Sequence, residues 1–259
     1  MLPLKLARPH AFDGTALCVG AMAPDLAYPL TGWLAHQSHT ATGIVVWCIP
    51  ATLVICVAIR TWVAPTAFAH FPDIPFLRIH SYCVLARRWP PLWQTIVGAA
   101  IGATTHVLID GFTHDRRWGA QWLDLDQGSV PFPLRGDLTY ARAMQYYGHT
   151  LGSALAVMLL IYIARKRLFE EWYGEANVRW ARDFTLRPFQ RALFWSVVAS
   201  GVALAYVWAE ATTYVKAFRL IDALAFTTAI ACALPWCRPG RPLAFDRAQL
   251  PDRRSTAPH

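Results

Sequence analysis

Apolar residues run almost without interruption through five stretches: Ala41–Ile59, Trp93–Gly111, His149–Ala164, Ala192–Ala209 and Phe218–Trp236. Each approaches the roughly 17 to 25 residues a helix needs to cross a bilayer, where only helices and closed barrels satisfy their own backbone groups. The pattern therefore predicts an all-α, polytopic transmembrane helix bundle of about five spans. A sixth stretch, Gly14–Leu34, is apolar enough to insert but carries Pro24, Asp25 and Pro29 in its middle, which predicts a broken or re-entrant helical element. With no clean apolar core and small-residue cleavage site at its start, the chain is expected to use its first spans as the insertion signal.

Composition agrees. Of 259 residues, 55% are hydrophobic and 15% charged, too few polar groups to cover a soluble globule. Trp33, Trp62, Trp89, Trp93 and Trp236 fall near the ends of the expected spans, as interfacial aromatics do. A net charge of +8 raises nucleic acid as a partner, but the basic residues are scattered over loops and tail without a stacking motif, so no nucleic acid is expected. With five spans, most of the 24 Lys and Arg fall on the side of Arg60, the segment Arg165–Arg191 and the tail from Arg238. That side is expected to be cytoplasmic, C-terminus included, with residues 112–148 external; the N-terminal tip is external under the five-span reading and changes side alone if Gly14–Leu34 crosses. The organisation read from this is a membrane core over residues 1–164, a cytoplasmic interfacial segment over 165–191, two further spans over 192–237 and a disordered cytoplasmic tail over 238–259. The six cysteines form no CxxC pair and are expected to be structural thiols.

Ionisable groups at membrane depth are costly and are functional hypotheses by default. The second span ends in THVLIDGFTHD, where His106, Asp110 and His114 recur every four residues and so project from nearly one helix face, with successive side chains roughly 6 Å apart along the axis. Imidazole and carboxylate together are ligands for zinc, manganese or iron. A His or Asp in a span can also do no more than hydrogen-bond to a neighbouring helix. The same face is expected to receive LAHQSHTATG, from which His39 is taken with the cluster and His36 as an interfacial residue, and also His10 and Asp25. The Pro24-Asp25 pair either aims a carboxylate at the site or merely ends one helix and caps the next.

The order PHAFDGTAL, GAMAPDLAY, QSHTATG, GATTHVLIDGFTH and MQYYGHTLG, covering residues 5 to 164, resembles the bacterial membrane family called domain of unknown function 4184. That family is in turn similar to membrane-bound metal-dependent hydrolases. The resemblance places its recurring His and Asp on His10, Asp25, His39, His106 and Asp110. Thr40 stands where the family has Ser, and Tyr147 and His149 depart from its pattern near Gln145. What the resemblance implies is a hydrolase of the bacterial cytoplasmic membrane. His10, His39, His106 and Asp110, with His114 at the helix end, would hold a divalent ion, zinc first and manganese or iron next, and Asp25 would be a general base or further ligand. Arg116 and Arg117 beside the cluster either receive a phosphate or anchor to headgroups.

A site at the membrane face points to membrane lipids as partners and to a lipid or lipid-linked ester or phosphoester as substrate; oligomeric state is not legible. Three other classes stay open: a haem protein ligated by His106 and His149, a permease, and a structural protein whose polar residues only fasten helices.

Overall fold

The computed structural model describes residues 2–30, 37–87, 89–133, 135–208 and 213–240. His36, Trp33 and nearly all of the expected C-terminal tail lie outside these. Four helices are long and apolar enough to cross a membrane: α3 (Ala41–His70), α4 (Leu92–Thr113), α6 (Tyr140–Arg165) and α9 (Pro188–Trp208). Their Val45, Val54, Leu108, Ile109, Leu151, Met158, Leu204 and Val207 are exposed, the outward apolar surface a bilayer accepts and water does not. The chain is an all-α membrane bundle. The fifth expected span falls on α10 (Thr213–Ala233), of which Leu220–Ala233 is a shorter apolar helix.

The first span outruns its hydropathic stretch. α3 continues for 30 residues through Pro50 and Pro65, each preceded by a wider π turn, Ile44–Cys48 and Ile59–Val63. Proline lacks the N–H for the helical ladder and crowds the carbonyl four residues back, and a local π turn absorbs both defects without ending the helix.

The N-terminal element settles the polarity of the bundle. After α1 (Leu2–Ala7), α2 (Gly14–Met22) lies along α4 in backbone contact. A Cβ on Gly20 would come within 2.6 Å of the Ala99 carbonyl, and one on Gly102 within 2.5 Å of the Leu17 carbonyl. Small residues permit such approach, and where no hydrophobic drive acts between helices, it is packing that holds them. The two helices run parallel, because Asp13 at the start of α2 meets Thr95 while Ala21 at its end meets His106. Asp13 accepts two bonds from Arg60 Nη2, at 2.8 and 2.7 Å, and one from Thr95 Oγ1 at 2.9 Å, and it caps α2 through the amides of Thr15 and Ala16. At the same end the buried Lys5 lies 5.5 Å from the Trp172 ring.

This corrects the expected placement of the N-terminal tip. It shares the end of the molecule that carries Arg60 and the interfacial segment, and only the far end of the broken element, Asp25, reaches the His39 end. Lys5 and Arg8 thereby join the cation-rich side.

Both ends are capped. At the Arg60 end, the 3-10 helix Ile79–Ala86, α7 (Leu168–Tyr173) and α8 (Glu175–Arg182) enclose Cys83, Val84, Ile163, Phe169 and Val178. The interfacial segment thus holds two helices, turned at Gly174 with φ 86°. At the His39 end, α5 (Trp118–Trp122) and an antiparallel hairpin of β1 (Ser129–Phe132) and β2 (Gly136–Thr139), in register Ser129 to Thr139, bridge α4 to α6. α9 and α10 pair beside α3, where Ala67, Phe194, Val198, Ala231 and Cys232 form a buried cluster.

Candidate metal centre

Four side chains from three segments converge at the His39 end. Asp25 comes from the 3-10 turn Asp25–Leu30 that follows the stop of α2 at Met22. Pro24, fully buried, supplies no N–H to continue that helix. The neighbouring Ala23 carbonyl is tied to α3 by the Trp47 indole at 2.9 Å. His39 is delivered by the turn before α3, whose first amides are capped by Thr40: its Oγ1 accepts from the Gly43 amide at 3.0 Å and donates to the Gln37 carbonyl at 2.7 Å. His106 and Asp110 stand one turn apart on α4.

The geometry is regular. His39 Nε2 lies 3.4 Å from Asp25 Oδ1 and 3.4 Å from Asp110 Oδ2, and His106 Nε2 lies 3.4 Å from each of the same two atoms. The four ligand atoms are all within 4.8 Å of one another. Both Nε2 atoms are buried without a hydrogen-bond partner among the described residues. At that spacing a common centre falls about 2.1 to 2.4 Å from each atom, the range of nitrogen and oxygen bonds to divalent ions.

The other ring nitrogens are committed elsewhere. His106 Nδ1 donates to the Ala21 carbonyl at 2.7 Å; a carbonyl can only accept, so Nε2 is left with its lone pair toward the centre. His39 Nδ1 is 2.9 Å from Ser38 Oγ, a hydroxyl that holds the ring and, when it accepts from Nδ1–H, leaves Nε2 its lone pair. A ring held by its far nitrogen is what a metal-ligating imidazole requires. Burial pushes the His39 imidazolium down, but the Asp110 and Asp25 carboxylates outweigh it and hold His39 above its ordinary range.

His114 stands at the edge. Its Nδ1 is 3.6 Å from Asp110 Oδ1, and its Nε2 accepts from the Gln145 amide at 2.9 Å, so it braces Asp110 against α6. His10 does not join the cluster. Its carbonyl accepts from Gln94 at 3.0 Å, twelve residues before His106 and thus about 18 Å away along α4; the reason is the parallel packing of α2, which carries His10 to the opposite end. Thr105 bonds only to its own helix, at the Ile101 carbonyl. Thr113 bonds to the Ile109 carbonyl and also approaches His114. His149 is exposed on α6 while His106 Nε2 faces Asp25, so the pair that haem ligation would need is not assembled. His70 and His80, left out of the sequence-derived cluster, bond to carbonyls of Cys237 and Phe71.

Two partners were missed in sequence, the Ala21 carbonyl and Ser38. A backbone carbonyl leaves no signal in side-chain identity, whereas Ser38 beside His39 could have been read as an imidazole partner. A cavity of about 360 Å³ lies at the Arg60 end, remote from the cluster; there Arg78, Arg167 and Arg179 are paired with Glu170 and Glu175.

Neither a curated protein nor a solved structure matches this chain. The model of one family, described as domain of unknown function (DUF4184), matches residues 1–234, nearly all of the described bundle, and the chain belongs to that family.

Proposed function

We propose that this protein is a membrane-bound metal-dependent hydrolase whose ion is held by Asp25, His39, His106 and Asp110. The observation that carries the reading is the set of four equal 3.4 Å separations around two buried, unpartnered Nε2 atoms. The separations are too long for hydrogen bonds of ordinary strength and right for a shared ion. A divalent ion there supplies Lewis acidity and activates water. Zinc, manganese and iron all accept this donor set. Asp25, His39, His106 and Asp110 would hold the ion, and water activation would need a coordination position beyond these four.

The chain's own residues divide the remaining work. His106 and His39 are oriented by Ala21 and Ser38, and Asp110 is braced by His114. Asp25, with 34% of its side chain exposed against 2% for His39, marks the open side, and its equal distance to both imidazoles fits a ligand better than a free-standing base. Asp25 sits among the ends of spans at headgroup level, which favours a lipid or lipid-linked ester or phosphoester as substrate. Arg116 and Arg117, within four residues of the end of α4, would receive its anionic group. The cation-rich Arg60 end is the cytoplasmic one, and the site faces outward across a bacterial inner membrane.

Elemental analysis of detergent-purified, monodisperse protein tests the reading. Near-stoichiometric zinc, manganese or iron, lost in His39→Ala and Asp110→Ala, is expected, followed by hydrolysis of a lipid ester by the loaded protein. Protein that stays metal-free after reconstitution would leave a structural cluster of protonated His39 between two carboxylates and would sink the hydrolase reading.

A further inference from the structure

α10 was read from its sequence as a plain span, yet it carries Asp222. The Oδ2 atom of Asp222 is buried and has no hydrogen-bond partner among the described residues. An acidic group in a membrane helix normally finds a partner or marks a site. α10 runs from the His39 end toward the Arg60 end, because Ala231 and Cys232 pack on Ala67 near the end of α3, and Asp222 lies some nine residues, about 14 Å, back along the axis. Towards the other end α10 contacts the 3-10 turn Asp25–Leu30, and Asp222 is in electrostatic interaction with the Asp25 carboxylate. It is not one of the four atoms gathered within 4.8 Å. It therefore stands behind Asp25, the most exposed member of the cluster.

We propose that Asp222 is a positioning residue of the metal centre: its carboxylate borders the open side next to Asp25 and accepts a hydrogen bond from the water or substrate hydroxyl that occupies the position the four ligands leave free. The proposal rests on the metal reading above and adds to it a residue outside every motif that identified the site. With no partner for its Oδ2 atom among the described residues, this carboxylate is open to a bond from water or from a group that arrives with the ligand. Among the described residues its Oδ2 atom fastens α10 to no neighbour by a hydrogen bond. The same placement has an electrostatic consequence: a negative charge at the open position disfavours a small anion there and favours a neutral hydrogen-bond donor.

The test uses the full chain loaded with Co²⁺, as wild type, Asp222→Asn and Asp222→Leu, and titrates azide by visible absorption while measuring Co²⁺ affinity in parallel. Expected are azide affinities raised about tenfold or more in both variants, with Co²⁺ affinity lowered by loss of the same charge yet still saturable at higher Co²⁺, and no loss of thermal stability, because the charge removed has no hydrogen-bond partner for its Oδ2 among the described residues. Azide affinity unchanged in variants saturated with Co²⁺ would overturn the role of Asp222 and leave the metal reading standing. Failure of Asp222→Asn to saturate with Co²⁺ would overturn it by making Asp222 a ligand. Wild-type protein that binds no Co²⁺ would overturn both.

Discussion

Each imidazole of the cluster is held at one nitrogen and offered at the other, and this division makes second-layer residues testable. Removing the Ser38 hydroxyl frees His39 to rotate, so Ser38→Ala is expected to weaken metal binding by about ten- to a hundredfold, read by competition with a chelator, with little change in stability of the metal-free protein. An unchanged affinity would mean that the buried position of His39 alone orients the ring. The charge environment gives a second prediction with two opposite signs. Because its folded-state value is raised by Asp110 and Asp25, protonated His39 stabilises the metal-free fold fully below the ordinary histidine value of about 6.5, and that contribution is lost as pH climbs through the raised value. Metal binding needs the neutral ring and so strengthens over the same rise. Thermal melts of the metal-free protein should fall with increasing pH in this window while metal affinity climbs, and both should flatten in His39→Gln.

The element that places Asp25 is α2, held by backbone-close packing on α4 and, through Ala16 and Val19, by contact with α3. Its contact runs through Gly20 and Gly102, where an added Cβ would strike backbone atoms. Gly102→Val is expected to push α2 from α4, breaking the His106 to Ala21 bond and withdrawing Asp25; the cost in stability is about 1 to 3 kcal/mol, and metal should be lost even in the fraction that remains monodisperse. Retained metal would show that the loop between Asp25 and His39 can compensate. The hydropathic pattern identified this stretch as interrupted at Pro24, and the interruption is where the structure ends the helix. What the pattern did not carry was direction: an apolar segment reads the same from either side, and only Asp13, bound to Arg60 and Thr95, shows at which end α2 begins.

Across the whole molecule, the buried Asp13–Arg60 pair and the His/Asp cluster occupy opposite ends of the same three helices. The pair locks the registry that the cluster needs. Both side chains are nearly inaccessible, at 2% and 4%, so removing one partner strands the other: Asp13→Asn or Arg60→Met is expected to cost about 3 to 5 kcal/mol, and the double variant Asp13→Leu, Arg60→Met less than the sum, by unfolding in detergent. A second whole-molecule expectation is topological. The start of α1 and residue 240 lie at one end, so reporter tags placed before Leu2 and after Gly240 should be accessible from the same face of sealed vesicles; tags on opposite faces would contradict the polarity of α2.

Length and continuity of apolar runs sufficed to specify a helical membrane bundle, because lipid leaves the backbone no other way to satisfy itself. Spacing by four on α4 sufficed to align His106, Asp110 and His114, because a helix fixes those angles locally. Whether His10 joins Asp25 and His39, which imidazole nitrogen faces the centre, and that Asp222 borders it are matters of which helices pack together and in which direction. Those depend on contacts between residues far apart in the chain, such as Gly20 with Ala99 and Asp13 with Arg60, and no local pattern encodes them.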